Sequence, residues 1–520
     1  MSESRARNSF FVAFGILCSR IAGLIRQRVF SHYFGLTAPA DAFMAAFRIP
    51  NFLNNLFGEG ALSASFIPVY ASLVARGERA EADRVAGAVA SLLALAVSLI
   101  VLAGVVATPL LIDAIAPGFT GETRELTIVL VRILFPGAGL MVMSAWCLGV
   151  LNSHHRFFVS YAASVVWNAA MIATLVLFGG GRALPQLARI LAWGSVVGSG
   201  LMFLVQLPIV MKLAPDLRFA VDTASAHVRS VVRNFGPVFV SRGVVQLSGY
   251  IDTLIASLLP TGAVAALLNA QTIGLLPVSL FGMSVSAAEL PAMSSAVGAE
   301  PQAALALRGR LDSGLRQIAF FVIPSAMAFL ALGDVIAAAL FQTGRFTHED
   351  AIYVWAILAG SAVGLLASTL GRLYSSTYYA LRDTRTPLNY AVIRVILTTV
   401  LGYLCAIPLP HWLGLNPMWG AAGLTSSAGV AGWVEMFLLR SSLNRRIGRT
   451  GLAPSFVAAL WSAAGLGAAV GWGVKLGMPS AHPIVTAIAV LGAYGVVFVG
   501  VAFVLRVPEV RMVRRFLLKR

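Results

Sequence analysis

The chain has 520 residues, of which 58% are hydrophobic and only 11% are charged. Because soluble domains carry about 25% charged residues, this composition excludes an ordinary soluble enzyme and indicates a polytopic membrane protein. The net charge of +17 is interpreted as loop charge that sets membrane orientation, and not as a nucleic-acid footprint. All three cysteines, Cys18, Cys147 and Cys405, lie in apolar runs, which argues against a disulfide framework.

Apolar runs separated by polar residues or by Pro and Gly predict an all-α protein with fourteen transmembrane helices, since a span needs about 20 apolar residues. The first run has no small-residue cleavage site, so it is interpreted as an uncleaved span and not as a signal peptide. The predicted spans cover about residues 8–34, 41–74, 84–111, 124–151, 157–180, 186–212, 228–258, 263–295, 312–340, 350–378, 388–409, 417–441, 453–476 and 483–506.

Basic residues are distributed unequally between the two sets of loops. With both termini in the cytoplasm, 25 Lys and Arg lie in inner segments and 5 in outer loops, and the other 8 lie inside spans. This bias predicts a multi-pass inner-membrane protein whose N- and C-termini are cytoplasmic. The basic tail, residues 506–520, is predicted to lie on the anionic lipids of the inner leaflet.

Weak internal similarity divides the spans into two sets of six. Ser241-Arg242 repeats Ser19-Arg20 at an offset of 222 residues, and two further matches follow in order at offsets of 227 and 229–230. Six spans per half give both halves the same orientation, as in parallel-repeat transporters. The predicted division is 1–213 for an N-lobe, 214–442 for a C-lobe, and 443–520 for two extra spans and the tail.

Eight arginines fall inside the predicted spans, where a charge at the bilayer centre costs roughly 2.5–3.5 kcal/mol. Such a cost indicates that the guanidinium faces a partner, a watery cavity or an anionic ligand. Half of these arginines lie in the first two spans. The eight are Arg20, Arg26, Arg28, Arg48, Arg132, Arg242, Arg372 and Arg394.

The first two spans predict an anion-binding site. Arg20, Arg26 and Arg48 would bind the anion, balanced by Asp41 and Glu59. Three guanidinium groups against two carboxylates leave a positive charge, which suits a phosphate or diphosphate because arginine binds these bidentately. The alternative is that these residues form internal salt bridges that hold the two spans together.

The second span also carries helix-breaking residues. Pro50 removes a backbone donor, and Gly58-Glu59-Gly60 places a carboxylate between two glycines. Irregular helices are tolerated in membranes where they line a cavity or pack inside protein. The pattern predicts a break at Pro50, next to the anion site.

The second half is poorer in intramembrane charge. Arg242 and Asp252 lie ten residues apart on the seventh span, and Glu289 lies in the eighth. These three residues have either a structural role or a role in ion coupling. No metal-ligand, nucleophile or phosphate-loop motif occurs, so neither a catalytic site nor a cofactor is expected. Any transport would use the membrane potential or an ion gradient.

Motifs along the first 390 residues or so resemble those of the MurJ (MviN) lipid II flippases. They are Ser19-Arg20-Ile21-Ala22-Gly23 with Arg26, Asp41-Ala42-Phe43, Ile49-Pro50-Asn51, Gly58-Glu59-Gly60-Ala61, Phe66-Ile67-Pro68, Ala116-Pro117-Gly118-Phe119, Leu151-Asn152, Phe341-Gln342-Thr343-Gly344-Arg345-Phe346-Thr347 and Asp383-Thr384-Arg385-Thr386-Pro387. The last 130 residues or so match mainly in hydropathy.

This resemblance implies the multidrug/oligosaccharidyl-lipid/polysaccharide (MOP) exporter fold, with two lobes around a central cavity. It implies a non-enzymatic flippase that moves undecaprenyl-diphosphate-linked lipid II to the periplasmic leaflet by alternating access, for cell wall biogenesis and cell shape. Arg20, Arg26, Asp41 and Glu59 fall on the family's essential cavity positions, and Arg48 falls where the family has a basic residue. Cell-wall synthesis proteins are further candidate partners.

The chain departs from the family pattern at three places. Asn54 and Asn55 stand where many relatives have a basic pair, and Gln27 stands where many have an acidic residue. Thr272 occupies the position of a cavity arginine in the eighth span, so it becomes a candidate substrate-binding residue. The second half therefore supplies less positive charge than the family pattern implies.

Several other functions remain open from the sequence. The chain could carry another polyprenyl-diphosphate-linked glycan, or it could be a multidrug exporter of the same fold. A cation exporter would need an anionic cavity, which the arginines oppose. A membrane-embedded transferase would need acid and base groups in long loops, which the chain lacks. A structural scaffold would not need charged, broken helices.

Overall fold

A computed structural model describes residues 2–220, 225–295, 301–478 and 481–510. Within this part, the side chains of several helical stretches, among them 2–14, 58–60 and 240–249, are not described. The described secondary structure is helical apart from one isolated bridge between Thr343 and Phe346. The expected all-α class is therefore confirmed.

The described residues of the first half of the chain form eight α-helices and one π-helical segment. They are α1 Ser2–Phe34, α2 Ala38–Leu53, π1 Asn54–Leu62, α3 Ser63–Arg76, α4 Arg79–Ile115, α5 Gly121–Ser153, α6 Phe157–Phe178, α7 Leu184–Leu213 and α8 Ala226–Ser257.

In the second half, the part that the structure describes forms nine α-helices, a second π-helical segment and one 3₁₀ turn. They are α9 Ala263–Pro277, π2 Val278–Met283, α10 Ser284–Ser295, α11 Pro301–Phe341, α12 His348–Ala380, α13 Arg385–Ala406, α14 Pro408–Trp412, the 3₁₀ turn Pro417–Trp419, α15 Gly420–Ile447, α16 Pro454–Leu476 and α17 Pro483–Val504.

Each apolar run predicted from the sequence coincides with a helix or with consecutive helical segments. Ten helices of the described part are long and apolar enough to cross a membrane, which makes the chain a multi-pass membrane protein. The count of fourteen spans stays a prediction. The predicted break at Pro50 was wrong in position, because α2 continues to Leu53 and the irregular π1 follows.

The chain divides into two compact units, and each can be described by itself. Unit 1 comprises residues 1–265 with the short segment 343–346, and unit 2 comprises 266–342 and 347–520. Compactness does not test the sequence repeat, so the division into two six-helix lobes and two extra spans stays a prediction.

Helices in unit 2 approach closely where both present small residues. A Cβ atom on Gly364 of α12 would collide with the backbone of Gly429 on α15, so only glycine fits there. Close backbone contact of this kind is a usual basis of helix association in lipid, where burial of apolar surface gives no driving force.

The start of α12 is fixed by a capping box. The Thr347 side chain accepts from the backbone N–H of Asp350, and the Asp350 carboxylate accepts from the backbone N–H of Thr347.

One end of unit 1 is held by contacts between loops that lie far apart in sequence. The backbone N–H of Arg345 donates to the carbonyl of His32 at 2.8 Å, and the N–H of Gly118 donates to Ser257 Oγ at 3.2 Å. A Cβ on Gly118 would collide with the Ser257 carbonyl, so the contact requires glycine. We call these contacts, residues 32–41, 118, 257–265 and 343–346, the tied end of unit 1.

Candidate functional site

The guanidinium group of Arg26 lies over two aromatic rings. Its Cζ atom is 5.2 Å from the centroid of Phe47 on α2 and 5.0 Å from that of Trp167 on α6. The two rings stack on each other with centroids 5.5 Å apart. Both distances are within the usual range of a cation–π interaction, which contributes roughly 0.5–1 kcal/mol when exposed and about 2 or more when desolvated.

The ring partners of Arg26 are held in place by their own contacts. Phe47 follows Phe43 by one helical turn, with centroids 5.6 Å apart, and Phe43 packs on Phe30 of α1 at 5.3 Å. Trp167 Nε1 donates to the Ser195 carbonyl at 3.3 Å. The aromatic contacts between α1 and α2 therefore continue into the pair that carries the guanidinium.

Arg26 makes no ion pair with any carboxylate in the part of the chain that the structure describes. Its contacts there are with aromatic faces, which attract a cation but do not neutralise it. The five N–H donors of the guanidinium are suited to bidentate binding of a phosphate. This arrangement fits the predicted anion site, and a salt bridge to Glu59, whose side chain lies outside the described residues, stays the alternative.

Arg48, the second predicted arginine, lies against α8. Its Cζ atom is 5.5 Å from the ring centroid of Tyr250, and the Tyr250 hydroxyl donates to the Arg48 carbonyl at 2.8 Å. Asp252 lies close enough to attract Arg48 electrostatically. Arg48 is therefore partly balanced by a carboxylate, in contrast to Arg26.

Asp252 and Arg242, ten residues apart on the seventh predicted span, were predicted to have a structural or an ion-coupling role. The side chain of Arg242 lies outside the described residues, so its role stays a prediction. The structure places Asp252 near Arg48.

The carboxylate of Asp41 binds backbone N–H groups, whereas the sequence predicted that it would balance the charge of the arginines. Asp41 is 3% exposed, and its carboxylate accepts from the backbone N–H groups of Gly262 at 2.5 Å and Ala265 at 2.8 Å. These donors are at the start of α9, where N–H groups lack intrahelical partners and favour a negative charge. Asp41 therefore belongs to the tied end, and a direct role in substrate binding stays a prediction.

The other two predicted site residues are only partly defined. Arg20 is exposed on α1, and the six-residue spacing turns it about 120° around the helix from Arg26. A role for Arg20 in substrate binding stays a prediction. The Glu59 side chain lies outside the described residues, although its backbone belongs to π1.

Candidate residues in unit 2 have local partners. The Thr272 hydroxyl donates to the Leu268 carbonyl of its own helix at 2.8 Å. Glu289 on α10 forms an ion pair with Arg310 on α11 at 3.8 Å, which fits a structural role. A role for Thr272 in substrate binding, and one for Glu289 in ion coupling, stay predictions.

Sequence reasoning missed the aromatic residues of the site. Phe47, Trp167 and Tyr250 lie in apolar helices, where aromatic residues usually belong to the core. One available signal was the spacing of Phe43 and Phe47, which puts both on one face of the second span. No signal in the sequence could place Trp167, 120 residues later, beside them.

The fold is similar to that of solved MOP transporters. A structure titled lipid II flippase MurJ, inward closed conformation, aligns with a TM-score of 0.76 and 23% identity over 95% of this chain and 98% of that one. An inward-facing MATE multidrug transporter of the MOP superfamily aligns with a TM-score of 0.66 and 16% identity over 82% and 96%. At these identities the likeness shows the fold alone.

Sequence comparison identifies the family. A lipid II flippase MurJ of Burkholderia cenocepacia is 32% identical over 437 residues, 83% of this chain and 82% of the relative. A probable lipid II flippase MurJ of Rhizobium meliloti is 31% identical over 519 residues, 96% and 94%. The family model for lipid II flippase MurJ matches residues 30–495. The chain therefore belongs to the lipid II flippase MurJ family.

Proposed function

We propose that this chain is a lipid II flippase of the bacterial inner membrane, which moves its substrate to the periplasmic leaflet by alternating access. Family membership gives the substrate class. The observation that carries the proposal at the level of residues is the Arg26 guanidinium, held over Phe47 and Trp167 without a carboxylate partner among the described residues. A membrane span retains such a charge when it faces a partner, a watery cavity or an anionic ligand, and a diphosphate-linked substrate supplies the last of these.

The diphosphate of the substrate is the group that this site would bind. Arg26 offers its donors to one phosphate, and Arg48, partly balanced by Asp252, supplies further positive charge. Arg20 and Glu59 would complete the site during the transport cycle. Hydrogen bonds to charged groups contribute roughly 1.5–3 kcal/mol each, so two bidentate contacts suffice to select a diphosphate over a neutral lipid headgroup.

The membrane potential is a sufficient energy source for this substrate. Outward movement of two negative charges from an interior-negative cytoplasm gains roughly 4.6 kcal/mol per 100 mV, from about 2.3 per charge. An ion gradient is the alternative source. Collapse of the potential at constant ion gradients, in vesicles that hold the purified chain and labelled lipid II, separates the two.

The predicted topology determines which side of the membrane the tied end faces. With fourteen spans in two lobes and cytoplasmic termini, the tied end faces the periplasm. Reporter fusions after residues 180 and 345 should then read outside, and fusions after 218 and 446 inside. Opposite readings at either pair would contradict the orientation.

The experiment that tests the function is complementation of a bacterial strain depleted of its own lipid II flippase. Restored growth and shape, with translocation of labelled lipid II in reconstituted vesicles, are the expected results. The alternative substrate is another polyprenyl-diphosphate-linked glycan. It is suggested by Thr272, which stands at the position of a cavity arginine and whose hydroxyl donates to the Leu268 carbonyl of its own helix. Translocation of such a glycan without translocation of lipid II would establish the alternative instead.

A further inference from the structure

The second half of α12 carries a polar face that the proposed function does not use. Between residues 361 and 379, the side chains that are not buried are all polar except Val363. At about 100° per residue, the polar ones fall within a sector of about 100°, and Val363 lies on the opposite side. The face consists of Ser361, Ser368, Arg372, Ser375, Ser376 and Tyr379.

The neighbouring helix α15 shows what a lipid-facing surface looks like in the same unit. Its exposed residues Val430, Val434 and Phe437 are apolar and follow one another at helical spacing. A face of serines and an arginine would be costly in that environment, because hydrocarbon offers no hydrogen-bond partners. The polar face of α12 is therefore expected to contact water or a polar ligand.

Charge around this face is not balanced. Arg394 Nη1 on α13 donates to Glu435 Oε2 on α15 at 3.1 Å. Both residues act electrostatically on Arg372, so three charged groups from three helices lie near one another. Because Glu435 is bound to Arg394 and no carboxylate in the described part of the chain forms an ion pair with Arg372, the cluster keeps one positive charge.

Hydroxyl groups lie one helical turn from this charge on either side. Ser368 precedes Arg372 by four residues, and its hydroxyl donates to the Leu365 carbonyl at 3.1 Å. Ser375 and Ser376 follow by three and four residues and are partly exposed, so their side chains start beside that of Arg372 on the helix surface. A guanidinium with flanking hydroxyl donors is a suitable arrangement for an oxyanion.

We propose that Arg372, Ser375 and Ser376 form a second oxyanion site, in unit 2, which takes a phosphate-type group. The inference rests on the proposed function and deepens it, because it assigns residues of unit 2 to the binding of a phosphate-bearing substrate. Glu435 acts as a positioning residue that binds Arg394 and leaves Arg372 available to the ligand.

A cysteine reporter on the polar face tests this site. In a chain whose three native cysteines are replaced, Ser368→Cys should react with water-soluble thiosulfonates at least about tenfold faster than Val363→Cys, since the reaction needs a hydrated thiolate. The local positive charge should favour an anionic over a cationic reagent by about threefold or more. Arg372→Gln should abolish this preference, and Arg372→Lys should retain it.

Protection by added ligand identifies the source of the oxyanion. Inorganic diphosphate and a polyprenyl diphosphate lipid are tested separately against the anionic reagent. Slowing by both supports a site open to free phosphates, whereas slowing by the lipid alone supports a site reached only by the lipid-linked group. A Ser368→Cys reaction as slow as that of Val363→Cys, or no slowing by either compound, would overturn the proposal.

A second measurement avoids cysteine substitution, so its result does not depend on whether the cysteine-substituted chain folds. In the chain with its native cysteines, Arg372→Gln should weaken polyprenyl diphosphate binding about tenfold, corresponding to the loss of one charge-assisted contact, and unchanged binding would overturn the site. Lipid II translocation by the unaltered chain is measured in parallel. Absence of translocation together with intact protection would refute the proposed function and leave the oxyanion site standing.

Discussion

Two intramembrane arginines of this chain have opposite surroundings. Arg26 in unit 1 lies over the rings of Phe47 and Trp167, with no carboxylate partner among the described residues. Arg394 in unit 2 is bound to Glu435 by a 3.1 Å hydrogen bond between oppositely charged groups. Both occupy helices that the sequence predicts to span the membrane, and both carry the same insertion cost.

The comparison shows that an arginine inside a span does not by itself mark a binding site. Where a carboxylate from a neighbouring helix is within reach, the charge is used for helix packing. Where aromatic faces surround it, the charge is held in place but remains available to an anion, because a ring quadrupole attracts a cation without cancelling it. Function and stability should therefore separate between these two sites.

The largest expected effect is on transport when Arg26 is changed. Arg26→Ala should abolish complementation while membrane levels stay near normal, because an anion site loses its ligand donor and little packing is lost. Arg26→Lys should restore only part of the activity, since an ammonium group cannot bind a phosphate bidentately. The measurement is growth of the depleted strain, together with lipid II binding by the purified variants.

Arg124→Ala is a matched control, because Arg124 forms an ion pair with Asp113 on an exposed surface and should be tolerated. The salt-bridge interpretation of Arg26 would be supported by a different outcome. If removal of the Asp41 or Glu59 carboxylate restores activity to Arg26→Ala, the arginine serves charge balance and the anion site is wrong.

Substitution of a ring that contacts Arg26 should lower substrate affinity by an intermediate amount. Trp167→Leu removes a cation–π contact of roughly 0.5–2 kcal/mol, so the guanidinium loses its fixed position and substrate affinity should fall about two- to thirtyfold. Trp167→Phe keeps a ring and should lose less. Equal loss in the two variants, measured as lipid II affinity, would mean that the volume of Trp167 matters and its ring does not.

The Arg394–Glu435 pair should affect stability more than transport. Glu435→Gln leaves a guanidinium without its partner inside a span and should lower the unfolding free energy by roughly 1.5–3 kcal/mol. The double variant Arg394→Gln with Glu435→Gln should recover most of this loss, because no unpaired charge remains. Thermal unfolding in detergent measures both. A double variant less stable than the single one would contradict charge pairing as the reason for these residues.

The smallest expected effect concerns Asp383, a carboxylate outside the spans that is paired with Arg446. The Thr386 N–H and hydroxyl, with the Arg446 guanidinium, lower the pKa of Asp383 to about 2. Since the unfolded value is about 3.9, the contribution of Asp383 to stability is fully present above about pH 4 and is lost as the pH falls towards 2. Asp383→Asn should flatten this part of the pH profile of unfolding. An unchanged slope would show that other carboxyl groups determine it.

The helical class and the family could be predicted from the sequence. Apolar runs of about 20 residues leave the backbone no alternative to helix in lipid, so the predicted runs coincide with observed helices. The Asp383-Thr384-Arg385-Thr386-Pro387 motif, noted only as a resemblance, caps the start of α13 through Asp383. Its physical role follows from local spacing and could have been proposed without a structure.

The environment of each charge could not be predicted in this way. The sequence shows that Asp41 begins the second span, but only the tertiary structure brings Gly262 and Ala265, more than 200 residues later, to its carboxylate. It likewise brings Trp167 to Arg26 and Glu435 to Arg394. Hydropathy and local motifs determine which segments are helices, because the bilayer acts on each segment separately. Which charge is neutralised depends on side chains from other helices, so only the packing of those helices decides it.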